Sequence, residues 1–555
     1  MGKQDIAGRT LRELSAGQAP ENDMIVAARI GGEIQGLGET ADERETPEWV
    51  YLSQPMGERI YRRSVLFLAI VAMRELYGAA DAELIVRASL NGGLYCDLEV
   101  PGGVTGAAVS AIEVQMRAIV AEDRAIGHRV MPKDEAVRAF KEARQIPKAN
   151  LLYGLPEETV MLSTCGEHID DLYGVMLDRT GVLGCFDLMP VGGGVLLRTP
   201  RSGMGLTLSP PMAQPKFAQT LWESKQWAKI LHCEYLPDLN RSIRIGKTGD
   251  LIRVSEALHE KKIAEIADRI AAGIKKARLV MIAGPSSSGK TSFAQRLKVQ
   301  LRVNGLDPVS ISLDDYFVNR VETPLTPEGA YDYESLHALN VDLFNEHLVA
   351  LMQGKEVSLP RYDFITGERN DGAGPRLSIA PEQPIIVEGI HGLNEELTHA
   401  VPRDEKFKIY VSALTQLNID MHNRIPTTDA RFVRRLVRDY QFRASSALKT
   451  LRQWPDVRKG EEQNIFPYQE DADAVFNSAL IYELAVLKKY AVPLLSAVKP
   501  DEDGYATAQS ILRFLRFFGS IDDESDIPNN SILREFIGKS CFFTSNGDLK
   551  KGAGL

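Results

Sequence analysis

Residues 278–303 read RLVMIAGPSSSGKTSFAQRLKVQLRV. A short apolar run is followed by a loop of glycines and serines and then by a segment with helical spacing of its apolar residues. The loop fits the pattern GxxxxGK[ST] in the strand–loop–helix context that this pattern requires. Backbone N–H groups in such a loop surround phosphates at the N-terminus of a helix. The sequence therefore predicts a phosphate-binding loop, and a Gly/Ser-rich turn that fits by chance is the less favoured alternative.

The side chains of this loop have separate chemical tasks. Lys290 supplies a positive charge to the terminal phosphates of ATP, and the hydroxyl of Thr291 is suited to ligate Mg²⁺. We predict that ATP is bound by the loop and the first turn of its helix, which comprise Gly284, Pro285, Ser286, Ser287, Ser288, Gly289, Lys290, Thr291 and Ser292.

Two further apolar runs, PVSISL and PIIVEG, are typical of strands buried on both faces of a parallel sheet, which indicates an α/β fold. Asp314 and Asp315 follow the first run, and Glu388 ends the second. Open α/β sheets bind ligands at the carboxyl ends of their strands. Transfer of a phosphoryl group to a hydroxyl needs a base, and Asp314 is the candidate, whereas Asp315 better fits a turn or helix N-cap. Glu388 is a candidate Mg²⁺ ligand together with Thr291 and Asp314.

A predicted helix with the sequence ARFVRRLVRDYQFR, residues 430–443, is strongly basic. Such a run usually forms a solvated or salt-bridged surface. In a chain of net negative charge it also suits a lid that closes on transferring phosphates, and this interpretation is favoured. The arginines are Arg431, Arg434, Arg435, Arg438 and Arg443.

Length and composition limit the remaining choices. A chain of 555 residues is too long for one core and should form several domains. The net charge of -10 provides no overall basic field for nucleic-acid binding. The 5 cysteines form no CxxC motif, which favours a reducing compartment, and no apolar run approaches membrane-spanning length. We expect a cytoplasmic protein without a membrane segment; a homo-oligomer stays open.

The motifs GPSSSGKT, SLDDYF, YDYES, LPRYDF, IIVEG and RRLVRD, in this order, resemble the uridine kinase family, which is related to phosphoribulokinase. The resemblance covers about residues 277–518. It implies a five-stranded parallel sheet with flanking helices, and transfer of the ATP γ-phosphate to a nucleoside 5′-hydroxyl with Mg²⁺. It also implies that Lys290 and Thr291 contact phosphate and metal, that Asp314 is the base, and that Glu388 assists the metal.

The same resemblance assigns residues of the acceptor site. It implies that Asp332, in YDYES, holds ribose hydroxyls and that Tyr362, in RYDF, lies beside the nucleobase. Gly367 departs from the family, because uridine–cytidine kinases have a His there that reads the pyrimidine edge. The arginines that match lid and substrate-pocket positions are Arg435, Arg438 and Arg443.

The first half resembles the N-terminal region of threonyl-tRNA synthetase, with a TGS-like module over residues 1–60 and an editing-type α+β domain over 61–225. The HxxxH of that domain aligns with Arg63 and Phe67, and only Cys165 and His168 remain of its second motif. Two ligands are too few for zinc. The pair either lines an old pocket or fills a core, and the core is favoured.

The predicted order continues with a connecting helical segment over 226–276, the kinase-like domain over 277–520, and a packed or frayed tail over 521–555. Three functions stay open. The leading one is a kinase for a nucleoside such as uridine or cytidine. The others are a kinase for another sugar-like hydroxyl and a nucleotide-switched RNA- or ribosome-binding protein. The first half would serve regulation, assembly or RNA contact, for example through RIYRRS at 59–64.

Overall fold

The first segment forms a small α+β unit. The computed structural model describes residues 8–41, 46–90, 93–211, 214–326, 329–363 and 366–544. A two-residue turn of Gly31 and Gly32, both at positive φ, joins the first two strands, as tight hairpin turns prefer. The elements are α1 (Leu11–Ser15), β1 (Ile25–Ile30), β2 (Glu33–Gln35) and β3 (Glu48–Tyr51), with the antiparallel order β2-β1-β3.

The second segment contains one long buried helix and two antiparallel sheets of order β4-β5-β10-β9 and β6-β7-β8. The elements are α2 (Pro55–Tyr77), β4 (Glu83–Leu90), β5 (Gly93–Glu99), α3 (Gly106–Glu122), β6 (Ile126–Pro132), α4 (Lys133–Glu142), α5 (Ile146–Tyr153), β7 (Thr159–Cys165), β8 (His168–Asp170), β9 (Asp187–Val191) and β10 (Gly194–Arg198).

Three helices connect this region to the second half: α6 (Pro215–Ile230), α7 (Leu236–Arg244) and α8 (Thr248–Gly273). The connecting segment predicted over 226–276 contains α7 and α8. Its apolar residues pack on the kinase-like region within one continuous core. None of the described helices combines the length and apolar character needed to cross a membrane.

The second half is built on a parallel sheet. Its elements are β11 (Leu279–Ala283), α9 (Lys290–Val303), β12 (Val309–Ser312), α10 (Val341–Met352), β13 (Val357–Ser358), β14 (Arg361–Asp363), β15 (Glu368–Asn370), β16 (Arg376–Leu377), β17 (Ile385–Glu388), β18 (Lys406–Ser412), α11 (Thr427–Phe442), α12 (Ala447–Asn464), β19 (Ala474–Asn477), α13 (Glu483–Ser496), α14 (Tyr505–Leu515) and α15 (Arg534–Ile537).

The sheet confirms the predicted architecture. Its five strands have the order β12-β17-β11-β18-β19, and every neighbouring pair is parallel. Strand β11 is fully buried at the centre of the sheet. The register aligns Ile282 and Ser312 with Glu388, so three strands end together at one edge. The residues that follow these strands therefore meet above that edge.

The predicted tail is packed over the residues that the structure describes. Ile532, Leu533 and Phe536 belong to the same core cluster as the central strand. The front half is also joined to the kinase-like region, because the N–H of Val86 donates to the carbonyl of Met421 over 2.9 Å. The predicted domain boundaries stay a prediction.

Candidate active site

The backbone of the phosphate-binding loop depends on two glycines. A Cβ on Gly284 would lie 2.1 Å from the carbonyl oxygen of Val411 on β18, so only glycine permits this approach. Gly289 has a φ of 81° immediately before α9, and a Cβ there would lie 2.5 Å from Cγ2 of Ile532. Ser287 also has a positive φ, which is uncommon for a residue with a side chain. The loop is thus held in one tight shape.

The polar atoms of the loop fit a phosphate ligand. The ammonium of Lys290 donates to the carbonyl oxygens of Gly284 and Pro285 over 2.7 and 3.1 Å. The hydroxyl oxygens of Ser287 and Ser288 are buried and have no hydrogen-bond partner among the described residues. The first N–H groups of α9 have no acceptor within the helix. Donors therefore converge at a helix N-terminus, where the dipole favours an anion.

Glu388 ends β17 beside the first turn of α9. Oγ1 of Thr291 donates to Oε1 of Glu388 over 3.2 Å. Oε2 of Glu388 is buried without a partner in the described part of the chain. Burial raises the pKa of Glu388 to about 7, with Lys290 opposing and Glu535 reinforcing the shift. A free carboxylate oxygen next to a threonine hydroxyl fits Mg²⁺, which prefers oxygen ligands and keeps several waters.

Asp314 lies in the short 3-10 helix that follows β12, Leu313–Tyr316. Its side chain is exposed toward the cleft. The surrounding protein nevertheless raises the pKa of its carboxyl, and the neighbouring Asp315 carboxylate adds to the effect. Oδ1 of Asp315 accepts from the N–H of Tyr362 over 3.4 Å. Asp315 is thus engaged with the backbone, whereas the Asp314 side chain is exposed.

The structure places the two residues that the resemblance assigns to the acceptor, Asp332 and Tyr362, in different local surroundings. Oδ1 of Asp332 accepts from the N–H of Glu334 over 3.2 Å. The Tyr362 ring is buried and lies 5.5 Å from the ring of Phe317. Sequence reasoning missed His391, which is buried near the backbone of Glu334 and whose pKa burial lowers to about 4. His391 is therefore neutral at neutral pH.

Gly367 follows the two residues after β14 that lie outside the described ranges. It has a φ of 76°, and a Cβ there would lie 2.6 Å from Nε of Arg320. The N–H of Arg320 donates to the carbonyl of Gly367 over 2.8 Å. The guanidinium of Arg320 thus occupies the space that a side chain at position 367 would need.

The arginines of α11 divide into two groups. Arg431 and Arg434 are fully buried and form ion pairs with Glu461 and Glu483. Nε of Arg431 donates to the carbonyl of Ser286 over 3.0 Å, and Nη1 of Arg434 donates to the carbonyl of Ser287 over 3.4 Å. These two arginines brace the loop and cannot act as a mobile lid.

The second group faces the cleft. Nη1 of Arg435 donates to Oγ of Ser286 over 2.8 Å. Arg438 and Arg443 lie 2.8 and 3.7 Å from Oδ1 of Asp439, and the Arg443 side chain is 59% exposed. These are the three arginines that the resemblance assigns to the lid and substrate pocket.

Two acidic residues lie beside the phosphate-binding loop, and no sequence pattern predicted them there. Oε1 of Glu461, on α12, accepts from the N–H of Ser286 over 2.9 Å. Oε2 of Glu535, on α15, accepts from Oγ of Ser292 over 2.7 Å. Both come from distant segments with ordinary acidic composition, so only the fold reveals them.

Cys165 and His168 do not join Arg63 in one pocket. Cys165 is buried, and Nε2 of His168 lies 3.5 Å from Oε1 of Glu75. Arg63 and Glu75 are twelve residues apart on α2, or about 18 Å along a helix. Among the described residues no three His, Cys, Asp or Glu side chains could together hold a metal ion.

Comparison with known proteins gives different matches for the two parts of the chain. The model of the Phosphoribulokinase / Uridine kinase family matches residues 279–481. The N-terminal region is similar to threonine–tRNA ligases. That of Nitratidesulfovibrio vulgaris is 29% identical over 187 residues, which are 34% of this chain and 28% of the ligase. That of Aquifex aeolicus is 31% identical over 166 residues, which are 30% and 26% of the two chains. The chain thus spans less than a third of the length of these relatives.

Two solved structures are similar over 38% of this chain and 98% of their own length, each with a TM-score of 0.25. One is named for a fructose transport system kinase of Silicibacter sp. TM1040, at 16% identity, and the other for a possible uridine kinase of Bacillus stearothermophilus, at 20%. The chain thus combines a C-terminal region, residues 279–481, that matches the model of the Phosphoribulokinase / Uridine kinase family with an N-terminal region that is similar to threonine–tRNA ligases.

Proposed function

We propose that the protein transfers the γ-phosphoryl group of ATP to a hydroxyl of a nucleoside, with uridine and cytidine as the leading acceptors. The observation that carries this proposal is the shared edge of three parallel strands. The phosphate-binding loop follows β11, Asp314 follows β12, and Glu388 ends β17 in register with both. Donors for phosphates, a metal ligand and a base therefore face one cleft.

Each residue has a role in this proposal. Lys290 and the loop N–H groups orient the phosphates of ATP, and Thr291 and Glu388 hold Mg²⁺. The metal would neutralise charge on the transferring phosphoryl group. Asp314 accepts the proton of the acceptor hydroxyl as the oxygen attacks. The surrounding protein and then the Asp315 carboxylate raise its pKa above that of an ordinary aspartate, which makes it a stronger base.

The acceptor is proposed to lie between Asp332 and Tyr362, with the carboxylate of Asp332 holding ribose hydroxyls. Arg435, Arg438 and Arg443 stand at the phosphate side of this cleft and would stabilise charge that develops during transfer. Arg320 fills the position of the base-reading histidine of uridine–cytidine kinases. Arg320 is therefore the residue proposed to contact the acceptor in place of that histidine.

The test is an assay of ATP turnover with Mg²⁺ against uridine, cytidine, purine nucleosides, ribose and ribulose 5-phosphate. Asp314→Asn should abolish turnover and leave ATP binding intact. Asp315→Asn is the matched control, because an amide oxygen can still accept from Tyr362, and it should retain most of the activity. Equal turnover in wild type and Asp314→Asn would remove Asp314 from the base role.

The second candidate is a nucleotide-switched RNA-binding protein, and the similarity of the front half to threonine–tRNA ligases favours it. A switch requires nucleotide binding without an acceptor. Tight ATP binding, no turnover with any acceptor, and nucleotide-dependent binding of tRNA would select this alternative. Turnover of any one acceptor that is lost in Asp314→Asn selects the kinase.

A further inference from the structure

A cavity outside the phosphate-binding loop lies between the two halves of the chain. It has a volume of about 220 Å³. Its walls come from α2, the β1–β2 turn and the loop at 172–175 on one side, and from residues 419–429 and α14 on the other. A space at such a junction is a usual place for a ligand.

Arginine dominates the polar lining of this cavity. Arg59 forms a two-fold ion pair with Asp429, at 3.1 and 2.7 Å, and Arg62 pairs with Glu58 at 2.8 Å. The other three lining arginines, Arg63, Arg424 and Arg513, have no carboxylate partner among the described residues. Glu33 also lines the cavity. The lining keeps an excess of positive charge that the protein does not neutralise.

The hydrogen bonds of these three side chains are also incomplete. Within the described part of the chain, Arg63 donates only to the carbonyl of Val175, over 2.6 Å, and Arg424 only to Oγ1 of Thr427, over 3.0 Å. Nε of Arg424 is buried without a partner in the described residues. Burial, and then the neighbouring arginines, lower the pKa of both Arg63 and Arg424 to about 10. Unpaired buried donors and mutual repulsion are conditions that a bound anion would relieve.

The rest of the wall is apolar and aromatic, including Leu66, Leu172, Tyr173 and Phe514. An inorganic ion would use only the arginine side of the cavity. We propose that this cavity is a second ligand site, which binds a small organic phosphate through Arg63, Arg424 and Arg513. The phosphate lies on the guanidinium groups, and the organic part packs against the apolar wall.

The position of the site links it to the loop. Asp429, the partner of Arg59, is in the first turn of α11. Two residues later on the same helix, Arg431 holds the carbonyl of Ser286. A ligand in this cavity therefore lies beside the N-terminus of the helix that braces the phosphate loop.

The test measures calorimetric binding of inorganic pyrophosphate, AMP, UMP and uridine to the full chain. Because the phosphate loop also binds phosphates, each titration is done in Lys290→Ala as well. Arg63→Gln with Arg513→Gln removes the proposed contacts. Arg516→Gln, three residues further on and outside the lining, is the matched control. Arg63 and Arg513 form no ion pair among the described residues, so this double variant should fold.

We expect Lys290→Ala to keep one binding event for AMP or UMP that the Arg63/Arg513 variant weakens at least tenfold and Arg516→Gln leaves unchanged. Pyrophosphate should bind more weakly, and uridine should show no such event. The proposal is overturned if all phosphate binding disappears in Lys290→Ala, or if the Arg63/Arg513 variant binds like wild type. Binding of an RNA oligonucleotide alone, with no small phosphate, also overturns it.

Discussion

Oγ1 of Thr291 and Oε1 of Glu388 lie 3.2 Å apart, and this contact joins the first turn of α9 to the end of β17. The contact fixes the carboxylate while leaving its Oε2 atom buried and without a partner in the described residues. A buried, unpartnered carboxylate oxygen costs free energy, and a bound cation would offset that cost. In the proposed site, this pair would hold a metal ion that arrives with the nucleotide.

Glu388→Gln should weaken the dependence of turnover on Mg²⁺. The amide keeps the size of the side chain but removes the charge, so the concentration of Mg²⁺ needed for half-maximal activity should rise by about 10–100-fold, as for other metal-site partners. Thr291→Ser is the matched control because it keeps the hydroxyl. Nucleotide binding in excess chelator should be equal in all three proteins. Superimposable Mg²⁺ titrations of wild type and Glu388→Gln would refute the assignment.

Substitutions of the buried and the exposed arginines of α11 should affect different properties, the buried ones stability and the exposed ones activity. Arg434 is fully buried against Glu483, so Arg434→Met leaves a buried carboxylate unpaired and should lower the free energy of unfolding by about 3–5 kcal/mol. Arg443 is largely exposed, and Arg443→Met should change the unfolding free energy by less than about 0.5 kcal/mol. Denaturant unfolding of the two variants measures this difference.

Steady-state kinetics completes the comparison. Arg443→Met should lower kcat or raise the acceptor KM, because its guanidinium faces the cleft. If Arg443→Met unfolds like wild type and also retains wild-type kinetics, Arg443 has no role in the acceptor site.

The sequence predicted the parallel sheet and the loop because both depend on local patterns. The run LVMIA and the residues that follow it determine a buried strand, a turn and a helix start within a single segment. The arginine helix was predicted as a helix, but its spacing could not distinguish Arg434 from Arg435. That distinction depends on Glu483, 49 residues further along the chain. The sequence did not predict Glu461 and Glu535 at the site for the same reason, since only tertiary packing places them beside the loop.

A histidine at position 367, as uridine–cytidine kinases have, should not be tolerated in this protein. Gly367→His would require a positive φ and would displace the Arg320 guanidinium, so it should lower stability rather than improve pyrimidine use. Arg320→Ala should raise the acceptor KM with a smaller change in kcat, if Arg320 reads the acceptor. Kinetics with the best acceptor of the panel measure both parameters, and Arg320→Lys is the control that keeps the charge. An unchanged KM in Arg320→Ala would exclude this role.

The junction between the two halves should depend on pH through Asp171. Lys148 and His422 contact Asp170 in a buried cluster that joins the halves, and the side-chain amide of Asn423 donates to the carbonyl of Asp171 over 2.6 Å. Burial raises the pKa of Asp171 from 3.8 to about 7, against the opposing effect of Lys148. The free energy of unfolding should therefore depend on pH through this cluster.

The sign of this effect follows from proton binding. Between about pH 4 and 7 the folded protein holds a proton on Asp171 that the unfolded chain has released, so this group makes stability fall as pH rises through that window. Asp171→Asn removes this loss of stability with rising pH. The melting temperature of the variant minus that of wild type should therefore be larger at pH 7.5 than at pH 5. Asp170, whose pKa is far below 3.8 because His422 and Lys148 outweigh its burial, provides the contrast. Asp170→Asn should be destabilised throughout this range. A constant difference between Asp171→Asn and wild type from pH 5 to pH 7.5 would show that Asp171 is ionised in the folded protein.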